Sequence, residues 1–407
     1  MRSVRLFVFC RRDGTENRTA IFYNPGERMN IEQRLWTREN GWSFQNGPAS
    51  GKDAQLVLVF AATEALKKAV FFKELQKRYP GAHLFGCSTS GEICGPRVYD
   101  DTVAATAIHF EKTQIAGAQI LLDSNPDSFE TGRRLAQSIR HDGLRHVFVL
   151  SDGLNVNGSA LVNGLTDEFP AGVTITGGLA GNGDRFEETY VFWDDLPSRN
   201  TLAILGLYGK SLEVGYGSMG GWDPFGPERV ITKSKGNLLY ELDGKSALDI
   251  YRTYLGEHAQ GLPATGLLFP LSIRTKSGET GIVRTILAVH EGEKSMTFAG
   301  DIPQGAYARF MKANLERLID GACGAADCCR QGLGAHSSEL AILISCVGRK
   351  LVLKQRTEEE VEAVCDALGG RPRITGFYSY GEISPFMTGA PSALHNQTMT
   401  VTIFCER

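Results

Sequence analysis

A chain of 407 residues is long enough for two or three domains or one large composite body, so core size does not limit its stability. Its formal net charge of -3, with charged residues at 22%, offers no global attraction to nucleic acid or an anionic membrane, and the short clusters Arg11-Arg12 and Lys67-Lys68 read as solvated surface. Nine cysteines, an odd number with no secretory signal, argue for reduced thiols and a cytoplasmic protein rather than a disulfide framework; Asn17, Asn157 and Asn396, each in Asn-x-Ser/Thr, are then not expected to carry glycans.

The first apolar run, Leu6-Phe-Val-Phe-Cys10, is too short for a signal-peptide core or a membrane helix and predicts an opening strand. Leu56-Val-Leu-Val-Phe60 stops at Ala61, and Ala65, Ala69, Phe72, Leu75 and Gln76 then follow helical spacing until Pro80-Gly81. A second apolar run reaches Gly86. Roughly 20 to 30 residues between two such runs suit one right-handed crossover through a helix between parallel strands. Residues 102–110 and 113–122 alternate and predict flanking antiparallel strands. The pattern returns as His146-Val-Phe-Val-Leu150 before Ser151, followed by Ile175-Thr-Gly-Gly-Leu-Ala-Gly-Asn-Gly-Asp184 and strands over 189–192, 202–208 and 212–218.

Residues 215–229, rich in Gly, Pro and Trp, mark the sharpest change in composition and a natural boundary. Beyond it the patterns predict short strands at 230–232 and 238–240, a helix over 246–255, a strand over 267–273 and a hairpin from 281–289 and 295–299. A long helix is expected from about Ala306 through Met311 and Leu318 to Leu333, with Cys323, Cys328 and Cys329 as small core-facing residues, since no Cys-x-x-Cys gives them zinc-site spacing. The third occurrence is Ala341-Ile-Leu-Ile-Ser345 before Cys346, a helix carrying Val361, Val364, Cys365 and Leu368, and then Ile374-Thr-Gly-Phe-Tyr-Ser-Tyr-Gly-Glu-Ile383. A last strand covers 398–404.

Leu84-Phe-Gly-Cys-Ser-Thr-Ser-Gly-Glu-Ile93 aligns with residues 374–383 without a gap, and 175–184 share the apolar approach and the Gly but not the Gly-Glu pair. The runs are continuously apolar, as in strands covered on both faces. The fold class is therefore α/β: β-α-β units repeated three times, mixed parallel and antiparallel sheets, and a smaller α+β insertion. The division is a 1–54 extension, a domain at 55–220 and a second at 221–407.

Ligands of open α/β sheets gather outside the carboxyl ends of the parallel strands. The three Gly-containing loops should meet there, contributing Cys87, Ser88, Ser90, Gly91 and Glu92, then Gly178, Gly181 and Asn182, then Tyr378, Tyr380, Gly381 and Glu382. The preceding strand ends add Ser151, Asp152, Cys346 and Arg349. Hydroxyls, two carboxylates, an Arg and aromatic faces suit a zwitterionic or polar metabolite, with Glu92 and Glu382 facing a common cavity. The plainer reading is that Gly91 and Gly381 supply positive φ in tight turns whose amides the glutamates cap. Residues 178–183 have neither the Lys-Ser/Thr of a P-loop nor a clean Gly-x-Gly-x-x-Gly. An enzyme with Cys87 or Cys346 as nucleophile, or with the two glutamates as an acid/base pair, is the competing class; no motif with a mechanism accompanies either.

Taken together, Leu56–Phe60, Gly86-Cys-Ser-Thr-Ser-Gly-Glu92, Thr176-Gly-Gly-Leu-Ala-Gly181, the stretch from Val230 to Leu248, Phe269-Pro-Leu271, Ser345-Cys-Val-Gly-Arg349, Gly376–Ile383 and Leu394-His-Asn-Gln-Thr398 resemble the FIST family of bacterial signal-input proteins, from about residue 55 to the end. The resemblance implies a sensory module that binds a small molecule such as an amino acid and, having no output domain of its own, signals by contact with a histidine kinase or a cyclic-dinucleotide enzyme. It implies no catalysis, while the charge balance and the short first apolar run predict no nucleic-acid partner and no membrane insertion. Some stand-alone members bind haem as nitric oxide sensors; for that alternative His395, within Leu-His-Asn-Gln-Thr, is the first choice of axial ligand and His290 the second.

Overall fold

The computed structural model describes residues 29–47, 53–123, 126–275, 281–334, 338–387 and 389–407. The opening strand expected at Leu6–Cys10 lies outside these.

The chain makes three similar passes. The first comprises β1 (Met29–Thr37), β2 (Gly41–Asn46), β3 (Leu56–Ala61), α1 (Thr63–Lys68), α2 (Val70–Arg78), β4 (His83–Ser88), β5 (Glu92–Cys94), β6 (Arg97–Tyr99) and β7 (Val103–Phe110). The second comprises β8 (Gln114–Leu121), α3 (Ser128–Gln137), β9 (Leu144–Ser151), α4 (Gly158–Glu168), β10 (Thr174–Leu179), β11 (Val191–Trp193) and β12 (Thr201–Tyr208). The third opens with β13 (Leu212–Met219) and is interrupted by an α+β insertion: β14 (Trp222–Lys235), β15 (Leu238–Leu242), β16 (Lys245–Ser246), α5 (Ala247–Leu255), β17 (Leu271–Arg274), β18 (Ile282–Arg284), β19 (Ile286–His290), β20 (Ser295–Phe298) and β21 (Tyr307–Ala313). It resumes as α6 (Leu315–Leu333), β22 (Leu340–Cys346), α7 (Val347–Leu353), α8 (Thr357–Ala367), β23 (Arg373–Ser379), β24 (Gly381–Pro385), β25 (Ser392–His395) and β26 (Met399–Glu406).

Each pass builds a six-stranded sheet around a parallel pair. The pairs are β3 with β4, β9 with β10 and β22 with β23, as the repeat predicts. A returning strand, β7, β12 or β26, lies antiparallel beside the first strand of each pair. The short strand after each pair does not stay at home. β5 joins the third sheet beside β23, β24 joins the second beside β10, and β11 joins the first beside β4. The three sheets are thus closed on one another by cyclic strand exchange, with matching strand orders.

The burial pattern follows from this closure. Leu56, Leu58 and Phe60, Phe148 and Leu150, and Leu340, Ile342 and Ile344 point into one central apolar core shared by all three sheets. The alternate residues face helices: Val57 and Val59 pack with Phe72 and Leu75, Val147 and Val149 with Leu161 and Leu165, and Leu343 with Val361 and Val364. Both faces are dry, which is why the strands read as unbroken apolar runs. At about 1.5–3 kcal/mol for each large apolar side chain withdrawn from water, this core is the main stabilising element.

One glycine per repeat is fixed by this packing. Gly86, Gly177 and Gly376 sit opposite Val59, Val149 and Leu343, and a Cβ on them would stand 2.0, 1.9 and 1.8 Å from the carbonyl oxygen of those residues.

Several expectations need correction. The helix placed from Ala306 begins at Leu315, because Tyr307–Ala313 alternates buried Ala308 and Phe310 with exposed Arg309 and Lys312 as a strand of the insertion; Asn314 then caps the helix by accepting from the Arg317 amide at 3.3 Å. Of its cysteines only Cys329 is buried, with Cys323 and Cys328 half-buried. The strand expected over 267–273 is a helical turn up to Leu268, then Pro270, then β17. The first crossover helix is broken at Ala69, which adopts φ 44, and its buried face is Leu66, Phe71, Phe72, Leu75 and Tyr79, with Gln76 exposed.

Candidate functional site

The exchanged strands force the loops after β4, β10 and β23 together, since each loop must cross from its own sheet to the next. Corresponding residues then bond in a ring. The Ser90 amide donates to Tyr378 O at 2.8 Å, the Tyr380 amide to Leu179 O at 3.2 Å, and the Gly181 amide to Ser88 O at 2.9 Å. Gly181 is required by this approach: a Cβ there would lie 2.3 Å from Ser90 Oγ. Ser90 Oγ also accepts from the Gly183 amide at 3.0 Å, and Ser88 Oγ from the Tyr190 amide at 3.0 Å.

Beneath the ring lie Glu92 and Glu382, both buried and in matching settings. Glu92 accepts from Thr89 Oγ1 and, on its other oxygen, from the Thr102 amide at 3.0 Å and Thr102 Oγ1 at 2.6 Å. Glu382 accepts from Ser379 Oγ at 2.7 Å and from the Thr398 amide and Oγ1 at 3.1 and 3.0 Å. These are the contacts of carboxylates that tie a loop to the returning strand, and each takes its donors from its own repeat. Burial, only partly offset by these hydrogen bonds, pushes Glu92 up to about 7 and Glu382 up to about 8. In the exchanged strand of the second repeat the position matching Glu92 and Glu382 is Val191, which pairs with Cys87 as Glu92 pairs with Phe377 and Glu382 with Gly178.

The other expected residues divide into scaffold and rim. Asp152 accepts from the Leu154 and Asn155 amides at 2.9 and 2.7 Å and from Thr189 Oγ1 at 2.8 Å, while Ser151 Oγ donates to Asp152 O at 2.9 Å. Arg349 is wholly buried, on Glu360 Oε2 at 2.9 and 2.7 Å, with further bonds to Gly220 O and Leu318 O. Tyr378 and Ser345 both donate to Glu360 Oε1 at 2.8 Å, so this cluster locks strands to helices. Cys87 and Cys346 are buried, and burial pushes both thiols well above their ordinary range, which opposes the thiolate a nucleophile needs. Gly178 and Gly381 pack together in the paired strands.

The solvent side of the ring carries groups the sequence reading missed. Lys350 donates to Ser90 O at 2.9 Å, pairs with Asp100 and lies 5.5 Å from the Tyr378 ring centroid. The loop joining β10 to β11 runs over the ring. Asn182 anchors it through Arg185 and Glu188 O, and Phe186, at φ 54, stacks on Tyr380 at 4.5 Å. Tyr380 OH closes the clasp on Gly183 O at 3.1 Å and accepts from the Phe186 amide at 3.3 Å. A left-handed aromatic residue is held only where its surroundings over-determine it. Asp184 and Arg185 stay exposed.

His395 lies in β25 opposite Glu382, and its Nε2 donates to Ser384 O at 2.9 Å; burial pushes the imidazole down to about 4. The apolar void at the centre of the three sheets, about 10 Å³, is lined by Leu56, Phe148 and Leu340 among others and not by His395. A porphyrin needs an apolar slot beside a free imidazole nitrogen, and the surroundings of His395 do not fit one. His290 is exposed and bonded to Thr297 at 2.8 Å. Among the described residues no group of three His, Cys, Asp or Glu could hold a metal ion, and no helix is long and apolar enough to cross a membrane.

Two family models match the chain, the FIST N domain over residues 55–245 and the FIST C domain over 247–385. An uncharacterized protein of Methanocaldococcus jannaschii is 22% identical over 297 residues, 66% of this chain and 56% of that protein, so the match spans little more than half of that relative. Among solved structures, a cyanuric acid hydrolase from A. caulinodans aligns over 93% of this chain and 99% of its own at 9% identity and a TM-score of 0.33. A second cyanuric acid hydrolase structure aligns over 93% and 100% at 10% identity and a TM-score of 0.27. Scores of this size carry no argument about fold or activity.

Proposed function

The chain belongs to the FIST family, whose domains are sensory modules of signal transduction, and from that premise we propose that it senses a small amino-acid-like metabolite over the three-loop ring and passes the bound state to a separate histidine kinase or cyclic-dinucleotide enzyme. The observation that carries the reading is the ring itself: each loop is hydrogen-bonded to both others, so a ligand that shifts one loop repositions strands in all three sheets. Beside the ring the Lys350–Asp100 ion pair and the exposed Asp184 and Arg185 present both signs of charge, a mixture complementary to a zwitterion that exchanges with that pair. The clasp of Phe186 on Tyr380 is the element that ligand entry would release or tighten. The protein acts as an input and not as a catalyst.

Calorimetric titration with individual amino acids tests this. At least one is expected to bind the wild type, and Lys350→Gln and Phe186→Ala are each expected to weaken it tenfold or more. Absence of binding at millimolar concentration refutes the ligand class. Turnover of a bound compound at ordinary enzyme efficiency, on the order of 10⁴ M⁻¹s⁻¹ or more, refutes the non-catalytic reading.

A further inference from the structure

A second cleft opens between the β1–β2 hairpin and α2. Its volume is about 360 Å³, and its walls are Arg34 and Trp42 from the hairpin and Glu74, Leu75, Lys77 and Arg78 from the helix. That volume lies in the range of small-molecule sites, roughly 300–1,000 Å³. The hairpin lies outside both segments that match the family models, whereas α2 lies within the first.

The wall is built rather than incidental. Glu32, buried on β1, accepts on a single oxygen from Arg34 Nε at 2.5 Å, Arg78 at 3.2 Å and the Tyr79 hydroxyl at 3.1 Å. It holds both guanidinium groups at the cleft while satisfying only part of their donor capacity. Trp42 is set edge-on against Phe71, 6.4 Å between centroids at 80°, which fixes the indole plane. Its indole N–H is buried and has no acceptor among the described residues. Three cations against the carboxylates of Glu32 and Glu74 leave one net positive charge, and Leu75 and the indole supply apolar surface.

From these features we propose that the cleft is a second ligand site, separate from the loop ring, for a small organic anion that joins a carboxylate to a planar apolar body. The carboxylate bridges Arg34 and Arg78, and the planar body lies along Trp42 and Leu75.

Benzoate serves as the probe and the full chain as the target, with the tryptophan indole nitrogens labelled for NMR and Trp42→Phe identifying the Trp42 signal. Benzoate is expected to move that signal saturably, while acetate, inorganic phosphate and neutral benzamide move it at least tenfold less at equal concentration. Arg78→Gln, at a side chain 42% exposed, leaves Arg34 and Tyr79 on Glu32 and is expected to weaken benzoate at least tenfold while the protein still unfolds cooperatively. No saturable movement, phosphate acting as strongly as benzoate, or wild-type affinity in Arg78→Gln would each overturn the proposal. None of these outcomes bears on the ring, whose test uses other residues and other ligands.

Discussion

Replacing both buried carboxylates, Glu92→Gln and Glu382→Gln, should change how stability depends on pH more than it changes stability itself. Unfolded, each ionises near 4.5; folded, burial raises them to about 7 and about 8. A carboxyl raised in this way stabilises the fold fully below 4.5 and loses that contribution as pH rises through its folded value. Two buried histidines act in the opposite sense. His146, between Thr174 and Thr176, is pushed down to about 3 and His395 to about 4, from 6.5, so they cost stability as pH falls below 6.5. Between about 4.5 and 6.5 the two trends offset each other. Above 6.5 only the glutamates remain: at about 1.4 kcal/mol per pH unit, Glu382 loses about 2 kcal/mol and Glu92 somewhat under 1 kcal/mol before both are ionised. The wild type should therefore lose about 3 kcal/mol between pH 6.5 and 8.5, read from urea unfolding. In the double variant each amide oxygen still accepts from Thr102 or Thr398 and its NH₂ faces Thr89 or Ser379, so the loss above pH 6.5 should vanish. The variant should instead weaken below 6.5, where the histidines are no longer offset. A double variant that declines between pH 6.5 and 8.5 as steeply as the wild type refutes the reasoning.

Arg349→Met strands the buried Glu360 carboxylate with only Ser345 and Tyr378 as donors and should cost about 3–5 kcal/mol in chemical denaturation, while Arg349→Met with Glu360→Leu should recover most of that loss. Gly177→Ala or Gly376→Ala drives a Cβ into a strand carbonyl and should cost more than about 4 kcal/mol or abolish soluble expression, whereas Gly81→Ala, with nothing within 4 Å of the added carbon, should stay within about 1 kcal/mol of wild type.

The repeats were legible because each rests on a local requirement. Val59 facing Gly86, Val149 facing Gly177 and Leu343 facing Gly376 leave room only for glycine, so the same letter recurs at the same place. Strand identity was legible where both faces are dry. Beyond that, periodicity misled in the insertion, where Ala308, Phe310 and Met311 fit a helical stripe as well as an alternating strand and only pairing with β14 and β17 decides. The exchange of β5, β11 and β24 left no local mark, because three to five residues carry too little pattern to say which sheet they join.

At the site, the sequence gathered the three loops correctly but not the partners that tie them. Thr102 and Thr398, which hold the two glutamates, each follow a non-glycine residue in the left-handed region, Asp101 at φ 58 and Gln397 at φ 64, and Asn200 at φ 53 precedes Thr201 in the same way. An Asp or Asn before Thr at the head of the first two returning strands was therefore a readable signal, since short polar side chains tolerate that conformation best, whereas Gln397 gives no such signal. Lys350 was not readable: it reaches Ser90 and Asp100 across some 250 residues of chain. The two facts share a cause. The glycine contacts inside each repeat are written three times in the sequence, whereas the contact of Lys350 with Ser90 and Asp100 joins two repeats and appears once. The selectivity proposed for the ring belongs to the second kind, because the Phe186 clasp, Lys350 and Asp184 have no counterparts in the other repeats.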